Sequence, residues 1–305
     1  KFIRFYHDPS NNSSLSQNVV LDIFEDKDGF IWIGTANGLN KLTVSAKGKT
    51  SFIRYVNRNG NEGELSDNYI QTIAEDKSGN LWIGTKNGGL NKFVKETGVF
   101  KSFVNDPEKG NSLSNNDIRS ISFDREGKLW IGTYRGLNVM DVENELFHRI
   151  LSDRNNPQSL SKNSIKSIFI DPSGTVWVGT YYGGINMLNH HFNNFQNYKY
   201  RSDDLGLQFD VISAIVEDNA GNVYNIGSTN SKDFPTTPGV FQDTVNYMQD
   251  GYISKWDNQS IQQWTTYLGG DYNDALCGST LDNGDNIYVV GWSGWPTSRC
   301  SSARS

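Results

Sequence analysis

The strongest constraint on this chain is an internal repeat of about fifty residues. An aromatic residue that follows a Gly-containing turn recurs six times, at Trp32, Trp82, Trp130, Trp177, Tyr224 and Tyr288. Repeats of this length that are built from strand-type segments are typical of propeller blades, whereas helical repeats need apolar residues at i, i+3, i+4 and i+7. We therefore predict an all-β protein, a β-propeller of about six four-stranded blades, as a single domain over residues 1–305.

Each repeat begins with a predicted inner strand that runs into an Asp-x-x-Gly turn. The inner strands are Val20 to Glu25, Ile70 to Glu75, Ile118 to Phe123, Ile165 to Ile170, Ile212 to Glu217 and, in the sixth repeat, Leu276 to Leu281. In the first five, Ile or Val lies three and six residues before the turn Asp, so we expect both faces of the strand to be buried. In the sixth repeat, Ser279 stands three residues before the turn Asp. The turn Asp can accept bonds from turn amides, and the turn Gly tolerates positive φ.

Three further strands are predicted in each repeat. The second carries Trp-Ile/Val-Gly-Thr, the third begins at Gly38, Gly89, Gly136 and Gly184, and the fourth begins at Phe52, Phe100, Phe147 and Phe195. The segment Phe2-Ile-Arg-Phe-Tyr6 has the pattern of a fourth strand but precedes the first inner strand. In a closed ring it would complete the last blade and hide the sheet edges.

The first two hundred residues resemble the two-component regulator propeller repeat, which is found in the periplasmic sensor regions of bacterial hybrid two-component systems. The resemblance rests on four copies of Leu-Ser-x-Asn, Trp-Ile/Val-Gly-Thr and Gly-(Gly)-Leu/Ile-Asn, for example at Leu113, Trp130 and Gly136. From about residue 201 to residue 305 the pattern is similar to another bacterial repeat, abbreviated SBBP and common in secreted surface proteins, as in Trp264-Thr-Thr-Tyr-Leu-Gly-Gly270. Both resemblances imply blades in the periplasm or outside the cell. A fragment or a composite chain is expected, since such sensor regions usually carry more repeats, a membrane span and a kinase.

Composition and charge exclude several classes of partner. The formal charge is −6 and Lys and Arg form no cluster, so no nucleic acid partner is expected. No apolar stretch is long enough to cross a membrane. Cys277 and Cys300 match no metal spacing, and either two free thiols or one disulfide is expected. We predict no cofactor and no metal. The turn Asp26-Lys-Asp28 alone suggests a calcium loop, but its second carboxylate is lost at Ser78, Ser173 and Ala220 while the turn itself is kept.

The predicted ligand site lies on the loops that join the second and third strands. Propellers usually bind ligands on the face formed by these loops and by those that lead into the inner strands. The loop residues vary while the framework repeats, which is typical of recognition positions. Aromatic faces, amides and an Arg suit an oligosaccharide. The candidate ligand-binding residues are Tyr134, Arg135, Tyr181, Tyr182, Asn37, Lys86, Asn87, Trp292 and Trp295. Alternatively, the Leu-Ser-x-Asn motifs are turns whose Ser and Asn side chains bond to nearby backbone groups, and the tyrosines are ordinary exposed aromatic residues.

No catalytic set is predicted. His7 and His148 fall on segments with the outer-strand pattern, and His190 and His191 are interpreted as a surface pair. The sequence therefore predicts a non-catalytic extracytoplasmic propeller that binds a glycan or glycan fragment, as the sensor input of a two-component system. One alternative is a surface or structural propeller that binds a protein, which includes a second copy of the chain. A weaker alternative is a polysaccharide-active lyase or hydrolase.

Overall fold

All the structural elements described are β-strands. A computed structural model describes residues 3–58, 60–188, 195–198, 211–230, 236–246, 248–257, 261–282 and 284–294. These residues form five four-stranded antiparallel sheets and one two-stranded sheet. In them we find no helix with the length and apolar character that crossing a bilayer would demand. The predicted all-β propeller class is confirmed.

The chain divides into two compact units, Lys1–Ile150 and Leu151–Ser305. The first unit contains three sheets, each made of four consecutive strands. Their strands are β1 (Val20–Glu25), β2 (Ile31–Thr35), β3 (Gly38–Val44) and β4 (Thr50–Tyr55); β5 (Ile70–Glu75), β6 (Leu81–Thr85), β7 (Leu90–Val94) and β8 (Val99–Phe103); and β9 (Ile118–Phe123), β10 (Leu129–Thr133), β11 (Gly136–Asp141) and β12 (Leu146–Ile150).

The second unit contains two four-stranded sheets and one two-stranded sheet. Their strands are β13 (Ile165–Ile170), β14 (Val176–Thr180), β15 (Ile185–Leu188) and β16 (Gln196–Tyr198); β17 (Ile212–Glu217), β18 (Val223–Thr229), β19 (Asp250–Trp256) and β20 (Gln262–Leu268); and β21 (Asp274–Leu281) and β22 (Ile287–Ser293). The first five inner strands have the predicted bounds, because a turn Asp fixes where each one ends. The sixth, β21, starts two residues before the predicted Leu276.

Consecutive sheets within a unit pack face to face. In the first unit Trp32 of the first sheet is almost fully buried and contacts Phe93 of the second sheet, with ring centroids 5.7 Å apart. Phe93 and Phe100 face each other across β7 and β8, with centroids 4.6 Å apart. This interface therefore buries Trp32 of the first sheet under a cross-strand pair of the second, in one cluster with leucine and isoleucine side chains.

The first inner strand departs from the predicted burial. The paired apolar positions are buried in the second sheet at Ile70 and Ile73, but their counterparts Val20 and Ile23 in β1 are exposed. Within the first unit β1 has a neighbouring sheet on one side only, and this explains the difference.

The N-terminal segment also differs from its prediction. Residues 3–8 form no strand, and Phe2 lies outside the described residues. Instead the ring of Phe5 meets that of Phe52 in β4 edge to face at 5.4 Å, and the His7 amide donates to Asn18 Oδ1 at 2.7 Å. The segment therefore contacts the first sheet through its side chains, and its backbone forms no strand.

Candidate functional site

A buried network of Ser, Thr and Asn side chains supports the candidate loops. In the first sheet the Ser16 amide donates to Asn40 Oδ1 at 2.9 Å, and Asn40 Nδ2 donates to Ser16 Oγ at 2.8 Å. The Thr35 hydroxyl lies 2.9 Å from that of Ser16 and donates to the Gly38 carbonyl at 2.9 Å. The Ser–Asn bonds recur at Ser66 and Asn91, Ser114 and Asn138, and Ser161 and Asn186. The Ser of each Leu-Ser-x-Asn motif therefore belongs to the hydrogen-bond network that supports the loops.

The two sets of loops are tied together within each sheet. We call the segments 15–18, 65–68, 113–116 and 160–163 the lead-in loops, and the connections that follow Thr35, Thr85, Thr133 and Thr180 the second–third loops. The residue after each Thr donates its amide to a carbonyl just beyond the lead-in loop, for example Tyr134 to Asp117 at 3.1 Å and Tyr181 to Ser164 at 2.8 Å. Backbone bonds thus hold the loops while the variable side chains are left to project outward.

In the first unit the loops of successive sheets are joined. The Gly38 amide donates to the Asn68 carbonyl at 2.7 Å, and the Gly89 amide donates to the Asn116 carbonyl at 3.1 Å. The loops of the first three sheets therefore form one continuous surface of this unit. The candidates on it, all exposed, are Asn37, Lys86, Asn87, Tyr134 and Arg135.

Two aromatic–cation pairs lie on this surface. The Arg119 guanidinium lies 4.8 Å from the centroid of the Tyr134 ring and forms an ion pair with Asp117 at 3.2 Å. Lys86 Nζ lies 4.8 Å from the centroid of the Tyr69 ring. Such contacts hold a ring in a defined orientation. The sequence reasoning missed Arg119 and Tyr69, although each lies next to the isoleucine that begins its inner strand.

In the second unit Tyr181 and Tyr182 form an exposed aromatic pair. Their ring centroids are 4.3 Å apart with an interplanar angle of 70°, and the two residues are 42 % and 58 % exposed. Tyr182 has a φ of 58°, in the left-handed region that a bulky residue rarely adopts. Strain of this kind persists where the surrounding structure enforces it and is common at binding sites. Tyr181 also forms an isolated β-bridge with Val211.

Trp292 occupies the position in the sixth repeat that Tyr181 holds in the fourth, but it is not in a loop. It lies within β22 opposite Ala275 and is 52 % exposed. The strand extends further here, so the indole stands on a sheet rather than on a turn. Trp295 falls outside the described residues. All nine candidates were predicted to lie around one opening. This involves residues of both units, and it stays a prediction.

A cluster of carboxylates at the other end of the first and second sheets is filled by a lysine. Asp26, Asp28 and Glu75 lie close enough to hold a metal ion. Lys95 Nζ, however, lies 2.7 Å from both Asp26 and Glu75 and 3.4 Å from Asp28. Burial alone would raise the pKa of Asp26, but bonds from Lys95 and Trp32 hold it below its usual value. The Lys95 ammonium therefore lies among these three carboxylates and offsets part of their negative charge.

The described histidines lie away from the candidate loops or bond to backbone. His7 Nδ1 is 2.7 Å from the Leu15 carbonyl oxygen, and His148 is exposed on the outer strand β12. His190, His191 and Cys300 fall outside the described residues. Cys277 is a free thiol within them, and burial raises its pKa.

Four segments match the protein-family model described as two component regulator propeller. They are residues 14–37, 64–87, 112–135 and 159–182. Two-component regulator propeller repeats are therefore present in the first four sheets. Each match runs from the lead-in loop through the inner and second strands into the second–third loop. The matches together cover less than half of the chain, and a comparison with curated proteins finds no match. The SBBP-type assignment of residues 201–305 stays a prediction.

Solved structures with similar folds include an extracellular domain of a hybrid two component system, a lyase and a secretion-system component. The extracellular domain of BT3049 from B. thetaiotaomicron, described as a hybrid two component system, aligns with a TM-score of 0.61 at 22 % identity, over 90 % of this chain and 39 % of that one. Virginiamycin B lyase from Staphylococcus aureus aligns with a TM-score of 0.61 at 11 % identity, over 96 % and 86 %. PorZ, a surface component of the type-IX secretion system of Porphyromonas gingivalis, aligns with a TM-score of 0.61 at 16 % identity, over 92 % and 40 %.

These likenesses establish the propeller fold. The chain spans well under half of the BT3049 and PorZ structures. At these identities one fold accommodates an extracellular domain of a two component system, a secretion component and a lyase, so the function must be argued from this chain's own residues.

Proposed function

We propose that this chain is a non-catalytic, extracytoplasmic propeller of the sensor type that binds a glycan fragment through its second–third loops. The regulator propeller repeats in the first four sheets support a sensor role. The similar B. thetaiotaomicron structure is an extracellular domain, which supports a location outside the cytoplasm. In this proposal the repeats supply a rigid framework and the variable loops supply the recognition.

The Tyr181–Tyr182 pair carries the proposal. Two exposed rings at 70° and 4.3 Å present differently oriented faces from one short loop. The C–H faces of a sugar stack on such rings, and the phenol groups can both donate to and accept from its hydroxyls. Because the backbone of Tyr182 is already held in a left-handed conformation, little further ordering is needed on binding.

The first unit offers a second group of suitable side chains. Tyr134 presents an aromatic ring that Arg119 orients, and the exposed Arg135 provides guanidinium donors. The backbone amide of Asn87 donates to the Asp67 carboxylate at 2.8 Å, and this bond positions the residue. A sugar-binding surface uses aromatic rings, hydrogen-bond donors and amides. Here neighbouring residues hold such groups in place.

The test is a thermal-shift screen of the chain against a panel of oligosaccharides, followed by calorimetric titration of any hit. We expect Tyr181→Ala and Tyr182→Ala each to weaken binding at least about tenfold, as loss of a buried aromatic anchor does. Phe30→Ala is the matched control, because Phe30 is an exposed aromatic beside a turn at the opposite end of the first sheet. It should bind like the parent chain.

Three results would count against the proposal. One is a panel with no hit, combined with capture of a defined protein partner that Tyr182→Ala releases. A second is glycan binding that survives both tyrosine changes. The third is turnover of a polysaccharide by the chain, detected as new reducing ends, which would favour the lyase or hydrolase alternative.

A further inference from the structure

The second sheet has a polar groove where its outer strand meets the segment that leads into the sheet. The groove has a volume of about 1060 Å³ and lies between β8 and the segment before β5, with residues 57, 60–66 and 99–102 as its lining. Among the described residues, none of the candidate glycan-binding side chains lines it. It is therefore a surface separate from the second–third loops.

In the first and third sheets an arginine side chain lies at the corresponding place. Arg54 of β4 and Arg149 of β12 have the same register position, each opposite the Asn of the buried network. Both donate to three carbonyls of the segment before the inner strand, at 2.7–3.1 Å. These carbonyls belong to Asn11, Ser14 and Leu15 in the first repeat and to Lys109, Ser112 and Leu113 in the third. The segment thus forms a set of acceptors that fits a guanidinium group.

The second repeat has no arginine at this position. Ser102 of β8 stands opposite the network residue Asn91, at the register position of Arg54 and Arg149, and is exposed. Its hydroxymethyl group is too short to span the acceptor set as a guanidinium does. Lys101, the neighbouring cation of β8, bonds instead to the Glu145 carboxylate at 2.6 Å.

The acceptor set itself is kept in the second repeat. The Glu64 amide donates to the Asn61 carbonyl at 3.2 Å, and the Phe100 amide donates to the Gly63 carbonyl at 3.0 Å. The matching bonds in the first repeat run from Ser14 to Asn11 and from Phe52 to Ser13, at 3.0 and 2.9 Å. Because the turn is the same, the carbonyls of residues 61, 64 and 65 lie where those of residues 11, 14 and 15 bind Arg54.

A carboxylate adds to the attraction for a cation. The residue before the lead-in Leu is a Ser in the first and third repeats, and its hydroxyl accepts from the arginine at 2.6 Å in both. In the second repeat this residue is Glu64, which is half-buried. Its carboxylate accepts from the Arg58 amide at 3.3 Å and from Asn61 Nδ2 at 3.4 Å, so it lies at the groove. Hydrogen bonds between charged partners are about twice as strong as those between neutral ones.

We propose that this groove binds a guanidinium group that comes from outside the chain. The group is carried either by a small guanidino compound or by an arginine side chain of a peptide. Its planar set of N–H donors matches the carbonyls of Asn61, Glu64 and Leu65, and its charge is balanced by the Glu64 carboxylate. The ligand thus makes the contacts that Arg54 and Arg149 make within the chain.

The test is a titration of the isotope-labelled full chain, followed through the backbone amide signals of residues 61–66. The probes are ethylguanidinium and the blocked tripeptide Ala-Arg-Ala, and the matched control is blocked Ala-Lys-Ala. We expect saturable shifts with both guanidinium probes and binding of the lysine peptide at least about fivefold weaker, because an ammonium lacks the planar donor set. Equal affinity of the two guanidinium probes would identify a small compound as the source, and tighter binding of the arginine peptide would identify a polypeptide.

Two pairs of variants locate the site. Ser102→Arg supplies the chain's own guanidinium, so it should abolish the shifts and raise the urea midpoint, whereas Ser102→Ala should bind like the parent chain. Glu64→Gln should weaken binding at least about fivefold, because it removes the charged acceptor. Glu108→Gln is its control, since Glu108 is an exposed carboxylate in the corresponding loop of the third repeat. Should Ser102→Arg fail to fold, the Glu64 and Glu108 variants decide the question.

The proposal is overturned if no probe binds, if the arginine and lysine peptides bind equally, or if binding survives both Ser102→Arg and Glu64→Gln. It is also overturned if the probes bind only to Arg58→Ala, because the chain's own Arg58 would then be the occupant. None of these results depends on whether a glycan binds at the second–third loops.

Discussion

At the scale of single residues, the Asp that begins each turn does more than close the turn. Asp26 accepts a bond from Trp32 Nε1 at 2.8 Å, and Asp76 accepts one from Trp82 at 3.0 Å. In the last two repeats Tyr224 and Tyr288 take the place of Trp, and their hydroxyls bond to Asp218 and Asp282 at 3.1 and 3.0 Å. The replacement of Trp by Tyr therefore keeps the bond, which explains why the repeat tolerates it.

Trp82→Phe should destabilise the chain, because it leaves the half-buried Asp76 carboxylate short of one donor. Burial would raise the pKa of Asp76, but bonds from Trp82 and Asn80 hold it below its usual value. We expect the free energy of unfolding in urea to fall by about 1–3 kcal/mol. Tyr288→Phe is the matched control, since Asp282 is exposed and should regain its lost bond from water. Equal losses in the two variants would contradict this account.

Asp22 gives a pH dependence of the opposite kind. Burial raises the pKa of Asp22 to about 6, although the Ile73 amide donates to it at 2.6 Å. Between about pH 4 and 6 the folded chain holds a proton that the unfolded chain releases, so this group's contribution to stability falls as the pH rises. The lowered pKa values of turn carboxyls such as Asp76 act below this window.

Asp22→Asn should therefore remove part of the loss of stability between pH 4 and 6. The measurement is the urea midpoint of the parent and the variant at several pH values across this window. Asp243→Asn, a change at an exposed carboxyl, should run parallel to the parent chain. A difference between parent and Asp22→Asn that does not change with pH would show that the carboxyl is not titrating there.

At the scale of strands and sheets, the Gly of Trp-Ile-Gly-Thr sets how closely sheets approach. A Cβ added at Gly84 would come within 2.6 Å of side-chain carbons of both Thr72 and Ile118. The same position in the first sheet, Gly34, meets Ile70 of the second sheet at 2.7 Å. Absence of a side chain is therefore what allows the inner strand of the next sheet to seat its isoleucine.

Gly84→Ala should push the second and third sheets apart. Overpacking of a close-packed interface costs about 1–3 kcal/mol, which would appear as a lower urea midpoint. Gly110→Ala is the control, because nothing lies within 4 Å of its added Cβ. Its midpoint should match that of the parent. If the two variants unfold together, the close approach at Gly84 is not limiting.

Arginine side chains stabilise the segments that lead into the sheets. Arg149 of β12 donates through Nε to the Ser112 carbonyl at 2.7 Å, and its other donors reach the carbonyls of Lys109 and Leu113. Arg54 of β4 binds the segment before the first inner strand in the same way. The planar guanidinium offers five N–H donors in a fixed geometry, so a single side chain can satisfy several carbonyls at once.

At the scale of the whole molecule, the residues that stabilise every repeat differ from those proposed to bind a ligand. The Ser–Asn–Thr network and the Asp–aromatic bonds recur from sheet to sheet, whereas the residues of the second–third loops do not. The similar structures include an extracellular domain of a two component system and a lyase, so the framework alone does not select an activity. Substitutions in the network should therefore affect stability, and those at Tyr181 or Tyr182 should affect binding.

The sequence was sufficient to predict the all-β class, the six repeats and the inner strands, down to the bounds of β1, β5, β9, β13 and β17. It also placed Tyr134 and Tyr181 on loops beside the inner strands. Four features could not be predicted: the exposure of β1, the absence of a third strand in the described part of the sixth sheet, the strand position of Trp292 and the cation beside Tyr134. Each depends on which surfaces lie next to one another, and a single repeat does not contain that information.

What the sequence determined by itself is local: the turn after each inner strand, the alternation along it and the period of the repeat, because these depend on residues near one another in the chain. The tertiary structure alone decided that Lys95 bonds to Asp26, 69 residues away, and that the Tyr182 backbone is left-handed. These features arise from packing between sheets, where residues distant in sequence compete for the same space and the same hydrogen bonds.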